Sequence, residues 1–146
     1  MEMTVEHLGA VQFEIITRGH RVISDQPAEN GGFDEGMTPP EFLLAALASC
    51  AAYYAVEYLK ASKLADKGTK VYVTAEKVKN PARLDNFRLR VEVPATLTSD
   101  QQQGIHRAIE KCLVHNTLLH PAKITTEVVP ETSILEAGAI VTNDSP

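Results

Sequence analysis

Between Glu41 and Glu57 the chain carries no charged residue, only Phe42-Leu43-Leu44-Ala45-Ala46-Leu47-Ala48-Ser49-Cys50-Ala51-Ala52-Tyr53-Tyr54-Ala55-Val56. Ala and Leu are strong helix formers, and Pro39-Pro40 suit the first turn of a helix but not its interior, so the spacing predicts a helix from Pro39 or Pro40 to about Ser62. A helix that is apolar on nearly every face has to be covered. The uncharged run of 15 residues is shorter than the 18 or more expected of a membrane span, and it is rich in Ala and Ser. It reads as the central helix of a soluble core, with no membrane as partner.

The other limits come from size and charge. A length of 146 residues, 44% of them apolar, suits a single domain over 1–146 with a real core. A net charge of −5 and the lack of any basic run give no electrostatic footprint for nucleic acid or an anionic membrane surface. No secretory signal opens the chain, so the expected location is cytoplasmic, where two cysteines stay reduced unless their pairing is transient.

Thr4 to Thr17 alternates as a hairpin, with Val11, Phe13 and Ile15 against Gln12 and Glu14 and a turn near Gly9. His20 to Ser24 reads as a third strand, and Asp25 to Met37, with Pro27, Gly31, Gly32 and Gly36, as a loop. Its glycines lack the spacing of a phosphate-binding loop. After the central helix, Gly68 to Val78 and Phe87 to Val93 form a second hairpin turning at Asn80-Pro81-Ala82. Thr98-Ser99-Asp100 then caps a helix whose stripe is Ile105, Ala108, Ile109, Cys112 and Leu113, and Pro121 limits that helical region. Lys123 to Val129 alternates as a last strand, and the tail beyond Pro130 fits no element. The order β-β-β-α-β-β-α-β specifies an α+β fold, with antiparallel sheet packed on a long central helix. Such a helix needs more cover than one six-stranded sheet gives, which points to a homodimer.

Cys50 lies inside the apolar helix, where nothing in helix propensity requires a cysteine. It is either a small buried hydrophobe or a thiolate nucleophile that needs a cation or hydrogen-bond donors nearby. Cys112 has the same two readings. Two such residues in one reduced domain could form an attacking and a resolving thiol. Glu41 fits a capping box with Thr38. A second role for it is restricted, because nine residues of straight helix put Glu41 roughly 13.5 Å from Cys50, beyond direct contact. Arg18 and Arg21, flanking Gly19-His20, could supply a bridging cation. Cys112, His115 and His120 form C-x2-H-x4-H, but a closed zinc site wants four ligands and nothing nearby completes it. No metal is therefore expected. His115, three residues after Cys112, could instead hydrogen-bond to that thiol.

Arg18-Gly19-His20, Ser24-Asp25-Gln26-Pro27 before Gly31-Gly32, the run from Thr38 to Cys50, and Cys112-Leu113-Val114-His115-Asn116-Thr117-Leu118 together resemble the OsmC/Ohr superfamily of thiol-dependent peroxidases. The resemblance covers roughly residues 10 to 129. It implies an intertwined α+β homodimer with the two central helices packed together and active sites at the subunit interface. It also implies reduction of an organic hydroperoxide, with no bound cofactor. Cys50 would attack, Cys112 would resolve, and a dithiol such as a lipoylated protein would restore the pair. An arginine, Arg18 or alternatively Arg21, would hold the thiolate, and Glu41 would hold the arginine. Glu41 stands nine residues before Cys50, a spacing that resembles the OsmC-like branch; in the best characterised peroxidases the glutamate is one position earlier. His115 stands where a small polar residue is common. Two rivals keep the fold: thiol chemistry on another electrophile, and a dimeric module holding an apolar ligand in its interfacial cavity.

Overall fold

The computed structural model describes residues 1–120 and 122–130. Pro121 and the tail from 131 onward lie outside the described residues. The first three strands are β1 (Thr4–Gly9), β2 (Gln12–Thr17) and β3 (His20–Ser24), an antiparallel meander in the order β1-β2-β3. Gly9 (φ 133°) and Ala10 (φ 47°) make the first turn, and Arg18 (φ 49°) with Gly19 (φ 80°) the second. Two consecutive positive φ values match the twist of the strands they join, and this puts Arg18 at a hairpin tip.

The loop after β3 is built around Asp25, which is 1% exposed. One carboxylate oxygen accepts from the Gln26 N–H at 2.8 Å, and the other from the N–H groups of Phe33 and Glu35 at 3.0 and 3.2 Å. Gln12 Nε2 adds a longer bond at 3.4 Å. Burial raises the carboxyl pKa, but these donors outweigh it and hold the group below its ordinary value. Gly32 is required here, because a Cβ would stand 1.9 Å from the Gln26 carbonyl oxygen. The loop closes with a bridge between Ser24 and Met37, which delivers the chain to the central helix.

That helix, α1, runs Pro39–Ala61 as the sequence predicts. By length and composition alone it could cross a membrane. Its neighbours are β4 (Lys70–Lys79), β5 (Ala82–Glu92), α2 (Ser99–Ile109) and α3 (Leu113–Leu119). Within the protomer it buries a single stripe, Leu47, Ala51, Ala55 and Leu59, each four residues from the next. Ala55 and Leu59 meet Ile105 of α2, with Val91, Val93 and Leu97 packed around them. The expectation of an all-round buried helix is met only in part, for Tyr53 is 60% exposed and Leu43 36%.

Three further expectations are corrected. The strands form two sheets, one of three strands and one of two (β4-β5), rather than one of six. Alternation specifies which face of a strand is wet, not which neighbour it joins. Lys123–Val129 forms no strand; Ile124 and Val128 are 85% and 91% exposed. A strand needs a partner backbone, and this segment has none within the described protomer. The order among the described residues is therefore β-β-β-α-β-β-α-α, still α+β. Finally, the second helical region breaks between Ile109 and Leu113, so Leu113 falls off the buried stripe and is 65% exposed.

Candidate functional site

The break after α2 is what presents Cys112. The Cys112 N–H bonds back to the Ile109 carbonyl at 2.9 Å, ending α2, and the residue then turns to extended backbone (φ −60°, ψ 126°) as the N-cap of α3. Its Sγ accepts the N–H of His115 at 3.4 Å. Asn116 fixes the turn from the other side, its Nδ2 donating to the carbonyls of Glu110 at 3.0 Å and Cys112 at 3.1 Å. Cys112 is fully buried. α3 rests on α1, and this brings the Cys112 thiol beside that of Cys50, on the middle of α1 and half-buried. Burial, then the hydrogen bond with Cys50, pushes the Cys112 thiol pKa up; the N–H groups of His115 and Val114 oppose this without cancelling it. Both cysteines are free thiols.

Glu41 is one turn into α1. Its Oε2 accepts from the backbone N–H of Thr38 at 2.7 Å and from the Thr38 hydroxyl at 2.8 Å. These bonds, in that order, hold its carboxyl below the ordinary value, with a smaller attraction from Lys77. The capping reading of Glu41 is thus realised. Because α1 is unbroken from Pro39 to Ala61, Glu41 stays too far from Cys50 to touch it.

The arginines are not brought to the thiols. Arg18 sits at the β2–β3 tip, lining an open recess with Met1, Met3, Ile16 and Thr17, and Arg21 pairs across the sheet with Glu14 at 2.6 Å. The substantial packing of α1 is with α2, β4, α3 and β5, and the three-stranded sheet has no such packing on it. Among the described residues no cluster of three or more His, Cys, Asp or Glu could hold a metal ion. His120 Nδ1 lies 2.8 Å from the Asn116 carbonyl, and the His115 N–H is the contact made with Cys112.

Two residues, one shaping the loop before α1 and one the Cys112 turn, were named from the sequence only as parts of longer motifs. Asp25 had a signal, a carboxylate opening a glycine-rich loop, where aspartate commonly bonds backbone N–H groups. Asn116 had a weaker one, since an Asn in a first helical turn can latch back onto the chain before it.

The family model described as OsmC-like protein matches residues 32–127. No curated protein sequence matches. Among solved structures, the chain is similar to a provisionally named osmotic stress induced and detoxification response protein from Psychrobacter arcticus 273-4. The two are 22% identical with a TM-score of 0.73, over 82% of this chain and 88% of that one. It is similar to an OsmC like protein from Mycoplasma pneumoniae at 21% identity and TM-score 0.71, over 82% and 87%. A third similarity is to the organic hydroperoxide resistance protein OhrB of Bacillus subtilis, at 17% identity and TM-score 0.59, over 83% and 93%. At these identities the likeness is one of fold.

Proposed function

The chain belongs to the OsmC-like protein family, and on that premise we propose that it is a cysteine-based reductase of organic hydroperoxides. The observation that carries this reading is the pairing of a half-buried thiol, Cys50, with a fully buried one, Cys112, side by side on two different helices. The name of a fold neighbour, an organic hydroperoxide resistance protein, supports this choice of substrate class.

In this mechanism the Cys50 thiolate attacks the distal peroxide oxygen, the O–O bond breaks, and the alkoxide leaves as an alcohol after taking a proton. Cys50 is then a sulfenic acid. Cys112 displaces its hydroxyl as water, and the two sulfurs join. An external dithiol, such as a lipoylated protein, returns both thiols by exchange and leaves oxidised itself. Apolar residues around Cys50 on α1 suit an alkyl or aryl peroxide better than a small polar one.

The reading includes a homodimer in a reducing cytoplasm. Three features support association: the uncovered face of α1 with Leu43 and Tyr53, the three-stranded sheet without substantial packing on α1, and the unpaired segment Lys123–Val129. The cation that a thiolate needs would then be Arg18 across the subunit interface. Arg18 suits this role better than Arg21, which Glu14 already holds. Glu41, capped and ionised, would orient that arginine. The test is steady-state consumption of cumene hydroperoxide with dihydrolipoamide: turnover in the wild type and none in Cys50→Ser supports the reading. Equal rates in the two proteins, or consumption ending at one equivalent, refutes it.

A further inference from the structure

Closing a disulfide requires Cys112 to lose a proton, yet this thiol is fully buried beside a second sulfur. One turn away, Nδ1 of His115 is shut off from solvent and has no hydrogen-bond partner; it is the one such side-chain atom among the described residues. A buried polar atom left unpaired is costly, so its persistence calls for a reason. His115 is the third residue after Cys112, and its backbone N–H is bonded to Sγ at 3.4 Å.

We propose that His115 takes the Cys112 proton as Cys112 attacks the oxidised Cys50. A neutral imidazole protonated on Nε2 leaves Nδ1 as acceptor, and the hydrogen bond of a general base tightens in the reacting complex. The rest of the neighbourhood offers no better acceptor. α1, the helix packed on α3, carries Cys50 itself, Glu41 engaged by Thr38, Glu57 paired with Lys60 at 3.6 Å, and the phenols Tyr53, Tyr54 and Tyr58. On α3 and beside it, His120 Nδ1 lies against the Asn116 carbonyl and Glu110 lies against His106. For a sulfenic acid the proton passes on to the departing hydroxide and water leaves. For a mixed disulfide Cys50–S–S–R the products are the Cys50–Cys112 disulfide, the thiolate RS⁻ and protonated His115.

This inference rests on the thiol pair of the proposed function, but its test does not need peroxide. Cys50 is loaded with one equivalent of 5,5′-dithiobis(2-nitrobenzoate), and release of the second coloured thiolate reports attack by Cys112. His115→Asn and His115→Gln, both checked for native melting, slow release by about a hundredfold. They also change the pH profile of release, and added imidazole speeds His115→Ala. Unchanged rate and pH profile in the variants overturns the inference and leaves the peroxidase reading intact. A wild type inert to peroxide that still shows the His115-dependent profile overturns the peroxidase reading and leaves the inference standing.

Discussion

Cys112, at the N-cap of α3, lies beside Cys50 on α1, and the two differ in access: the first is fully buried, the second half-open. A thiol held up by burial is a poor nucleophile until a partner withdraws its proton, whereas a more open neighbour reaches reagents first. Iodoacetamide near neutral pH is therefore expected to modify Cys50 at least tenfold faster than Cys112, as peptide mapping reads directly. The folded protein also holds the Cys112 proton more tightly than the unfolded chain does, so this group's contribution to stability is full below 9.0 and is lost as pH rises further.

Asn116 holds the turn that aims Cys112 at α1, through carbonyls at 3.0 and 3.1 Å. Asn116→Ala removes both bonds and is expected to cost about 1–2 kcal/mol in urea unfolding. It should also slow disulfide closure while leaving the first oxidation of Cys50 unchanged. A slowed first oxidation would place Asn116 in a different role.

Asp25 and Gly32 define the loop ahead of α1. Asp25→Asn keeps the shape but loses an ionised acceptor for three backbone N–H groups, so its melting temperature falls. Since the folded-state pKa lies below 3.8, the wild-type advantage is present above that value and disappears as pH falls through the lower, folded value. Gly32→Ala puts a methyl into the Gln26 carbonyl at 1.9 Å and is expected to destabilise as well. Melting curves of both variants at pH 7 and pH 3 separate the two effects.

The uncovered face of α1 makes association testable. Tyr53 is 60% exposed in the protomer, so Tyr53→Asp should change the folding of a single chain by no more than about 0.5 kcal/mol. In a dimer with paired central helices it places a charge in an apolar contact. The dissociation constant measured by sedimentation equilibrium should then rise by about a hundredfold or more. A wild type that sediments as a single chain contradicts the dimer.

How much of this could be read from the sequence follows from which signals are local. The bounds of α1 are set by Pro39-Pro40 and an Ala-rich run, and the strands from His20 and Lys70 by alternation, so they were legible. Cys112 kept the right burial for a wrong reason. The stripe Ile105, Ala108, Ile109, Cys112 treated the helix as continuous, and nothing in its spacing marks the turn at Glu110-Lys111 that frees Cys112 to cap α3. The division into two sheets and the unpaired Lys123–Val129 depend on partner choice, which alternation does not encode. Glu41 was legible as a cap because both halves of the motif are three residues apart. Arg18 could be named from resemblance, but its place at the tip of a hairpin without substantial packing on α1 is a tertiary fact.

The central claim is that Cys50 attacks a peroxide and Cys112 resolves it. Intact mass measured after one equivalent of an organic hydroperoxide tests it most directly. The account predicts loss of two hydrogens in the wild type and, in Cys112→Ser, gain of one oxygen on Cys50. An unchanged mass in both proteins contradicts it.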